Sequence, residues 1–281
     1  MRQRLISSLV MVPVVVGAFL LGMPWLGIGV AILSVIAAME AFRLLAGAGF
    51  PVRMLPGVVA PPLAVLGMAW SDAPLGAAAA FVAAIVVVAA IDAFRRQDVK
   101  EGFLVWMGTS FGAVYASLLA FVVGVLTVAP PLPAEAPLSG WFDAGRTWLL
   151  VLVLTVWSFD SFAYLSGRTF KKGHFLNHIS PNKTWSGVIG GTVAAMVVAT
   201  LLTWGTGQSP LAGAVLGLLI AVTAQAGDVA ESMLKRAAGQ KDSGTLIPGH
   251  GGILDRTDSF LFAAPALFAF LVALEPLGLL R

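Results

Sequence analysis

The run SMLKRAAGQKDSGTLIPGHGGILDRTD, Ser232 to Asp258, holds three aspartates, two lysines, two arginines, one histidine and five glycines. It interrupts a chain that is otherwise strongly apolar. Of 281 residues, 58% are hydrophobic and 11% charged, and the mean hydropathy is +0.92. A soluble domain carries about 25% charged residues, so this composition reads as an all-α polytopic membrane protein. The absence of cysteine excludes disulfides, thiolate metal sites and a cysteine nucleophile.

Apolar runs of about 17–25 residues are candidate membrane helices. About nine are legible: 5–23, 25–46, 54–71, 74–93, 103–128, 147–167, 185–204, 210–233 and 259–279. The first is long for a signal-peptide core, and no A-x-A-like cleavage site follows, so it reads as a retained span. Counting from a cytoplasmic N-terminus, inside segments receive 15 of the 17 basic residues, with only Arg146 and Arg281 outside. The positive-inside rule asks for this asymmetry. It sets the C-terminus outside and the 232–258 run on the cytoplasmic face of an inner membrane.

The run is therefore a cytoplasmic connection between the last two spans, and its chemistry begins on the span before it. In AQAGDVAESMLKR, Asp228, Ser232 and Lys235 fall at i, i+4 and i+7 on one helical face, with Glu231 beside them. Buried carboxylates need a cation, water or a partner. One reading is a structural clasp of Lys235 on Asp228 or Glu231. The other is a binding face, which the loop supports. Asp255 and Asp258 follow at i, i+3 and, with Asp228, give three hard oxygen ligands of the kind that suit Mg²⁺. Lys235, Lys241 and Arg256 add positive charge, and PGHGG, with His250, Gly251 and Gly252, offers backbone N–H groups for an anion. Carboxylates for a metal beside donors for phosphate suit phosphoryl or nucleotidyl transfer.

A second polar block lies upstream. Asp160 sits inside a span, in WSFDSFAYLSGR, with Tyr164 and Gly167 on the same face. The next loop, GRTFKKGHFLNHISPNKTWSG, carries Arg168, Lys171, Lys172, Lys183, His174 and His178. Its charge alone would attract anionic headgroups. In the first half, Glu40 and Asp92 lie near cytoplasmic span ends, where snorkelling or pairing with Arg43 or Arg95 accounts for them. No Walker-type loop or dinucleotide fingerprint occurs, and nucleic acid is not an expected partner.

Ser232, Leu234, Lys235, Arg236, Lys241, Asp242, Gly244, Leu246, Pro248, His250, Gly251, Gly252, Asp255, Arg256 and Asp258, at these spacings, resemble the signature of the phosphatidate cytidylyltransferases, or CDP-diacylglycerol synthases. DSFAYLSGR and ISPNKT are similar to that family's upstream segments, in the same order. The likeness is close over about the last 120 residues; the first 140 share little beyond hydrophobicity. Ser186 stands where the family usually has Glu.

The resemblance implies a membrane enzyme, often a homodimer, that converts CTP and phosphatidate to CDP-diacylglycerol and diphosphate with Mg²⁺, with a second divalent or a monovalent ion as a further possibility. On that reading Asp228, Ser232, Lys235 and Asp255 are catalytic. Asp228, Asp255 and Asp258 are the metal ligands. Asp160, Arg168, Lys183, Lys241, Asp242, His250, Gly251, Gly252 and Arg256 bind substrate. The whole chain, 1–281, is then one membrane-embedded unit, with a scaffolding or oligomerising part at 1–146 and a catalytic part at 147–281. The competing reading is an ion- or proton-coupled transporter using Asp160, Asp228 and Glu231. The crowding of polar groups toward one membrane face, and the lack of symmetry between halves, argue against it.

Overall fold

The computed structural model describes residues 13–247, 249 and 251–274. Helix α1 is described over 13–21. It is followed by α2 (Trp25–Gly47), α3 (Met54–Trp70), α4 (Pro74–Phe94), α5 (Val99–Ser117), α6 (Ala120–Val128), α7 (Ala144–Phe170), α8 (Trp185–Gly205), α9 (Pro210–Ala237) and α10 (Leu254–Leu274). Among the described residues, extended pairing is confined to isolated bridges. The protein is thus an all-α, polytopic membrane protein. Six helices, α2, α4, α7, α8, α9 and α10, are long and apolar enough to cross a membrane, and α5 with α6 makes a seventh if the bent pair is one span. Helix α3 is apolar but only 17 residues long. The expected first and last spans, 5–23 and 259–279, lie partly outside the described residues.

The expected single span 103–128 is broken. Helices α5 and α6 meet at 41°. The cause is local. The Ser117 hydroxyl donates to the Ala113 carbonyl at 2.6 Å, and the N–H groups of Leu118 and Leu119 reach back only three residues. Back-bonding of this type, with a tightened last turn, bends helices.

The chain forms two compact units. One holds the described residues up to Gly124 together with Glu231–Asp258; the other holds Val125–Ala230 and the described residues from Ser259 onward. In the first, α2, α3, α4 and α5 pack on one another. The Phe42 ring, fully buried, fills a slot made by two glycines. A Cβ at Gly57 would overlap that ring, and one at Gly112 would come 2.7 Å from it. Small residues that admit close approach are the usual currency of helix packing in lipid, where apolar side chains gain little by leaving the bilayer.

Polar contacts close the loops of this unit. Arg53 forks onto Asp92 at 2.8 and 3.1 Å, and its backbone N–H donates to the Thr109 hydroxyl at 2.9 Å. The Asp92 carboxylate raises the Arg53 guanidinium above its ordinary value. Asp92 therefore pairs with Arg53, and more loosely with Arg96 at 3.9 Å, rather than with Arg95. Proximity along the helix pointed to Arg95, but the α2–α3 loop supplies a better-aligned fork.

In the second unit α7 and α8 pack closely. A Cβ at Gly187 would approach the Ala163 carbonyl to 2.8 Å, and one at Gly191 would approach that of Phe159 to 2.7 Å. Asp143 caps α7 through the Arg146 N–H, and Thr184 caps α8 through the Gly187 N–H.

Candidate functional site

The conspicuous polar cluster of the first unit is built around Lys235, near the end of α9. Its Nζ lies 2.5 Å from Glu231 Oε2, one turn back, and 2.7 Å from Asp255 Oδ1 on the first turn of α10. Glu231 is fully buried and the Asp255 side chain nearly so. Of the two clasps that sequence allows for Lys235, the one with Glu231 forms, and Asp255 joins it.

Asp255 is held from the other side as well. Its Oδ2 accepts from the Ser243 N–H, the Ser243 hydroxyl and the Gly252 N–H, each at 2.8 Å. The loop 241–253 is thus wrapped on a carboxylate from its own far end, and the Ile247 N–H closes it onto the Gly251 carbonyl at 3.0 Å. The Gly252 amide, one of the donors expected for an external anion, is given to Asp255. Gly251 has φ +83°, and a Cβ there would come 2.6 Å from Asp255 Oδ2. Two demands, left-handed backbone and clearance, therefore fix glycine at this position.

Glu40 completes the cluster. It lies on α2, 3% exposed. Its Oε1 accepts from the Ile253 N–H at 3.2 Å, and its Oε2 accepts from the Leu254 N–H at 2.8 Å and the Ser243 hydroxyl at 3.1 Å. The expected pairing with Arg43 or snorkelling is replaced by burial against the start of α10. Two backbone N–H groups at a helix N-terminus, where negative charge is favoured, with the Ser243 hydroxyl of the loop beside them, explain how a carboxylate sits there.

Asp258 follows Asp255 on α10, and both lie within electrostatic reach of Glu231. Lys241 and Asp242 are exposed on the loop, and Arg256 is exposed on α10. Ser232 is half-buried on α9. His250 and Pro248 lie outside the described residues.

The second unit carries the other candidates. Asp228, on α9, pairs with Lys183 at 2.7 Å. Lys183 belongs to the α7–α8 connection, which is braced locally. The Trp185 N–H donates to the Gly173 carbonyl at 2.6 Å, the Phe175 N–H donates to the Lys183 carbonyl at 3.2 Å, and the Phe175 and Trp185 rings stack at 4.8 Å. Ser186 takes part in this brace. It accepts from the Lys172 N–H at 3.3 Å and lies 3.2 Å from Thr184 Oγ1. Arg168 donates to the Tyr164 hydroxyl at 3.1 Å, and Asp160 is exposed on α7 two turns before Arg168.

Sequence reasoning passed over Ser243 and misassigned Glu40. Ser243 sits inside the quoted run but looks like an ordinary turn residue. Glu40 carried a usable signal, a carboxylate in the apolar context AAMEAFR, which in a membrane span marks function by default.

The donor set suits a hard divalent cation. Asp255 and Asp258 lie within electrostatic reach of Glu231, and among the described residues Glu231 Oε1 is buried with no hydrogen-bond partner. Among the described residues no group of three or more histidines, aspartates and glutamates is gathered as a ready cage. Mg²⁺ does not require one, since it usually takes one or two carboxylates and completes its shell with water and substrate phosphate.

Residues 2–274 match the cytidylyltransferase family. A Rickettsia felis protein named phosphatidate cytidylyltransferase is 32% identical over 228 residues, 77% of this chain and 89% of that protein. A Mycobacterium bovis protein of the same name is 32% identical over 278 residues, 96% of this chain and 84% of that protein. A Synechocystis protein, again so named, is 43% identical over 159 residues, 52% of this chain but only 54% of its own length.

Proposed function

The chain belongs to the cytidylyltransferase family, and from that premise we propose that it is a phosphatidate cytidylyltransferase, making CDP-diacylglycerol and diphosphate from CTP and phosphatidate. The observation that carries this reading is the buried Glu231–Lys235–Asp255 cluster at the foot of the 241–253 loop. It joins a cation and carboxylates inside the segment whose composition suits nucleotidyl transfer.

The reaction needs little acid–base help. A phosphate oxygen of phosphatidate, ionised at neutral pH, attacks the α-phosphorus of CTP. The new P–O bond forms as the bond to the bridging oxygen of the β-phosphate breaks, and diphosphate leaves with that electron pair. The protein must bring anions together and stabilise the charge of the departing diphosphate. Lys235 contributes a compact ammonium for that charge, and Ser232 a hydroxyl on the same helix. Lys241 and Arg256 hold the triphosphate with the turn at His250 and Gly251, the Gly252 amide being taken by Asp255, and Asp242 is a further substrate-binding residue. Lys183 and Arg168 serve the lipid phosphate or the nucleotide, and Asp160 is a further substrate-binding residue. By the family resemblance Asp228, Asp255 and Asp258 are the residues that would hold Mg²⁺, which would supply charge neutralisation and orientation of the phosphates.

In the membrane we place nine spans, with the N-terminus and the 241–253 loop cytoplasmic and the C-terminus outside. Residues 1–146 form a scaffolding part and 147–281 the catalytic part. The basic asymmetry of the loops supports this arrangement, and cytoplasmic CTP requires it. A homodimer is the assembly that the family resemblance supports. Purified protein should release diphosphate from CTP only when phosphatidate and Mg²⁺ are both present. Release that is indifferent to phosphatidate would contradict the assignment.

A further inference from the structure

Glu40 stands more than 200 residues before the loop it contacts, and the described hydrogen-bond partners of its carboxylate all belong to one short segment, Ser243, Ile253 and Leu254. Ser243 in turn holds Asp255 Oδ2 by both its N–H and its hydroxyl, and accepts from the Asp255 N–H at 3.3 Å. The chain of contacts runs from Glu40 through Ser243 to the carboxylate that faces Lys235.

We propose that Glu40 is a positioning residue for the nucleotidyl transfer. It clamps the start of α10 and Ser243, and thereby fixes the direction in which Asp255 presents Oδ1. The proposal rests on the reading of Asp255 as a catalytic residue.

Two further features support it. A Cβ on Gly244 would come 2.5 Å from Glu40 Oε1, and a Cβ on Gly252 would come 2.5 Å from the same atom and collide with Glu40 Oε2 and the Ser243 hydroxyl. Two glycines of the signature run are therefore needed to let the loop close on this carboxylate. Burying a charge is costly unless it is fully hydrogen-bonded. A glutamate that served only to fill the α2 interface would be better replaced by an apolar residue. Here the burial secures the geometry of one loop.

The chemistry of the site predicts how substitution acts. Glu40 accepts from two backbone N–H groups, one at each oxygen. Glutamine keeps the volume but must turn its NH₂ toward one of those donors, so Glu40→Gln frees either Ile253 or Leu254. The Ser243 hydroxyl has one proton and two carboxylate neighbours, so Ser243→Ala breaks the chain without adding bulk. A shift of about 1 Å in a catalytic group can cost about 100-fold in rate.

The test uses the full-length enzyme in detergent as Glu40→Gln, Ser243→Ala, the double variant and Asp255→Asn. It reads melting temperature, kcat and KM for CTP, and hydrogen exchange at residues 243–254. Glu40→Gln and Ser243→Ala should each lower kcat by about 10- to 100-fold with KM for CTP changed by less than about threefold, and should speed exchange at Ile253 and Leu254. The double variant should be no slower than the slower single, because both changes cut one chain. A folded Glu40→Gln with wild-type kcat, beside an inactive Asp255→Asn, overturns the proposal. If Glu40→Gln does not fold, Ser243→Ala decides it, and wild-type kcat in that variant overturns it equally. Wild-type turnover in Asp255→Asn would instead remove the catalytic reading of Asp255 and, with it, the reaction that Glu40 is proposed to serve.

Discussion

Lys235 and Asp255 are joined by a 2.7 Å ion pair that ties the last turn of α9 to the first turn of α10. The lysine also neutralises Glu231, which has no exposure. Structural and chemical roles therefore fall on one side chain. Removing one member of a buried pair costs roughly 3–5 kcal/mol, so Lys235→Met should melt at a clearly lower temperature and lose at least about 100-fold in turnover. Adding Glu231→Gln should restore part of the melting temperature and none of the turnover. Recovery of turnover in the double variant would show that the ammonium is structural alone. Lys235→Arg should rescue little, because a planar fork does not replace a compact charge between two carboxylates.

Asp255→Asn tests the carboxylate itself. An amide oxygen can still accept from Lys235 or from the Ser243 and Gly252 N–H groups, but not from both sides, and the charge is gone. The variant should insert in membranes normally and keep less than about 1% of turnover, since losing a charged ligand weakens cation binding. Activity of the purified variant within about threefold of wild type would refute the role given to Asp255.

Lys183 and Asp228 form a pair of a different kind. The Asp228 side chain is 37% exposed, so the ion pair itself contributes little to stability. Lys183→Met should therefore leave the melting temperature within about 2 °C of wild type while lowering turnover by about tenfold or more. Unchanged turnover would assign Lys183 to the local brace of the α7–α8 connection.

How much of this was legible in the sequence depended on which contacts are local. Apolar length found the helices, because spanning a bilayer is a property of a continuous segment. It missed the break between α5 and α6, which turns on a single hydroxyl at Ser117 and not on hydropathy. Helical periodicity found the Glu231–Lys235 clasp, four residues apart on one helix. It could not decide between Asp228 and Glu231, because that choice is made by Lys183, which claims Asp228 from 45 residues upstream. Glu40 was misread for the same reason. Its partners lie more than 200 residues later, and nothing adjacent to it in sequence reveals them.

Topology can be tested without the chemistry. The chain has no cysteine, so single cysteines report cleanly. Thr245 and Glu135 are both exposed. Thr245→Cys should react with an impermeant maleimide only in inverted vesicles, and Glu135→Cys only in right-side-out cells. Labelling of position 245 from outside would remove the loop from the compartment that holds CTP and overturn the nine-span arrangement.

The most direct measurement follows label from CTP into lipid. Purified protein is given phosphatidate, Mg²⁺ and CTP labelled at either the α- or the γ-phosphorus, and the chloroform phase is counted. Cytidylyl transfer requires the α-label to enter lipid, in amounts equal to the diphosphate released, and the γ-label to stay in water. Entry of the γ-label into lipid, or no phosphatidate-dependent entry of the α-label by folded protein, would contradict the account.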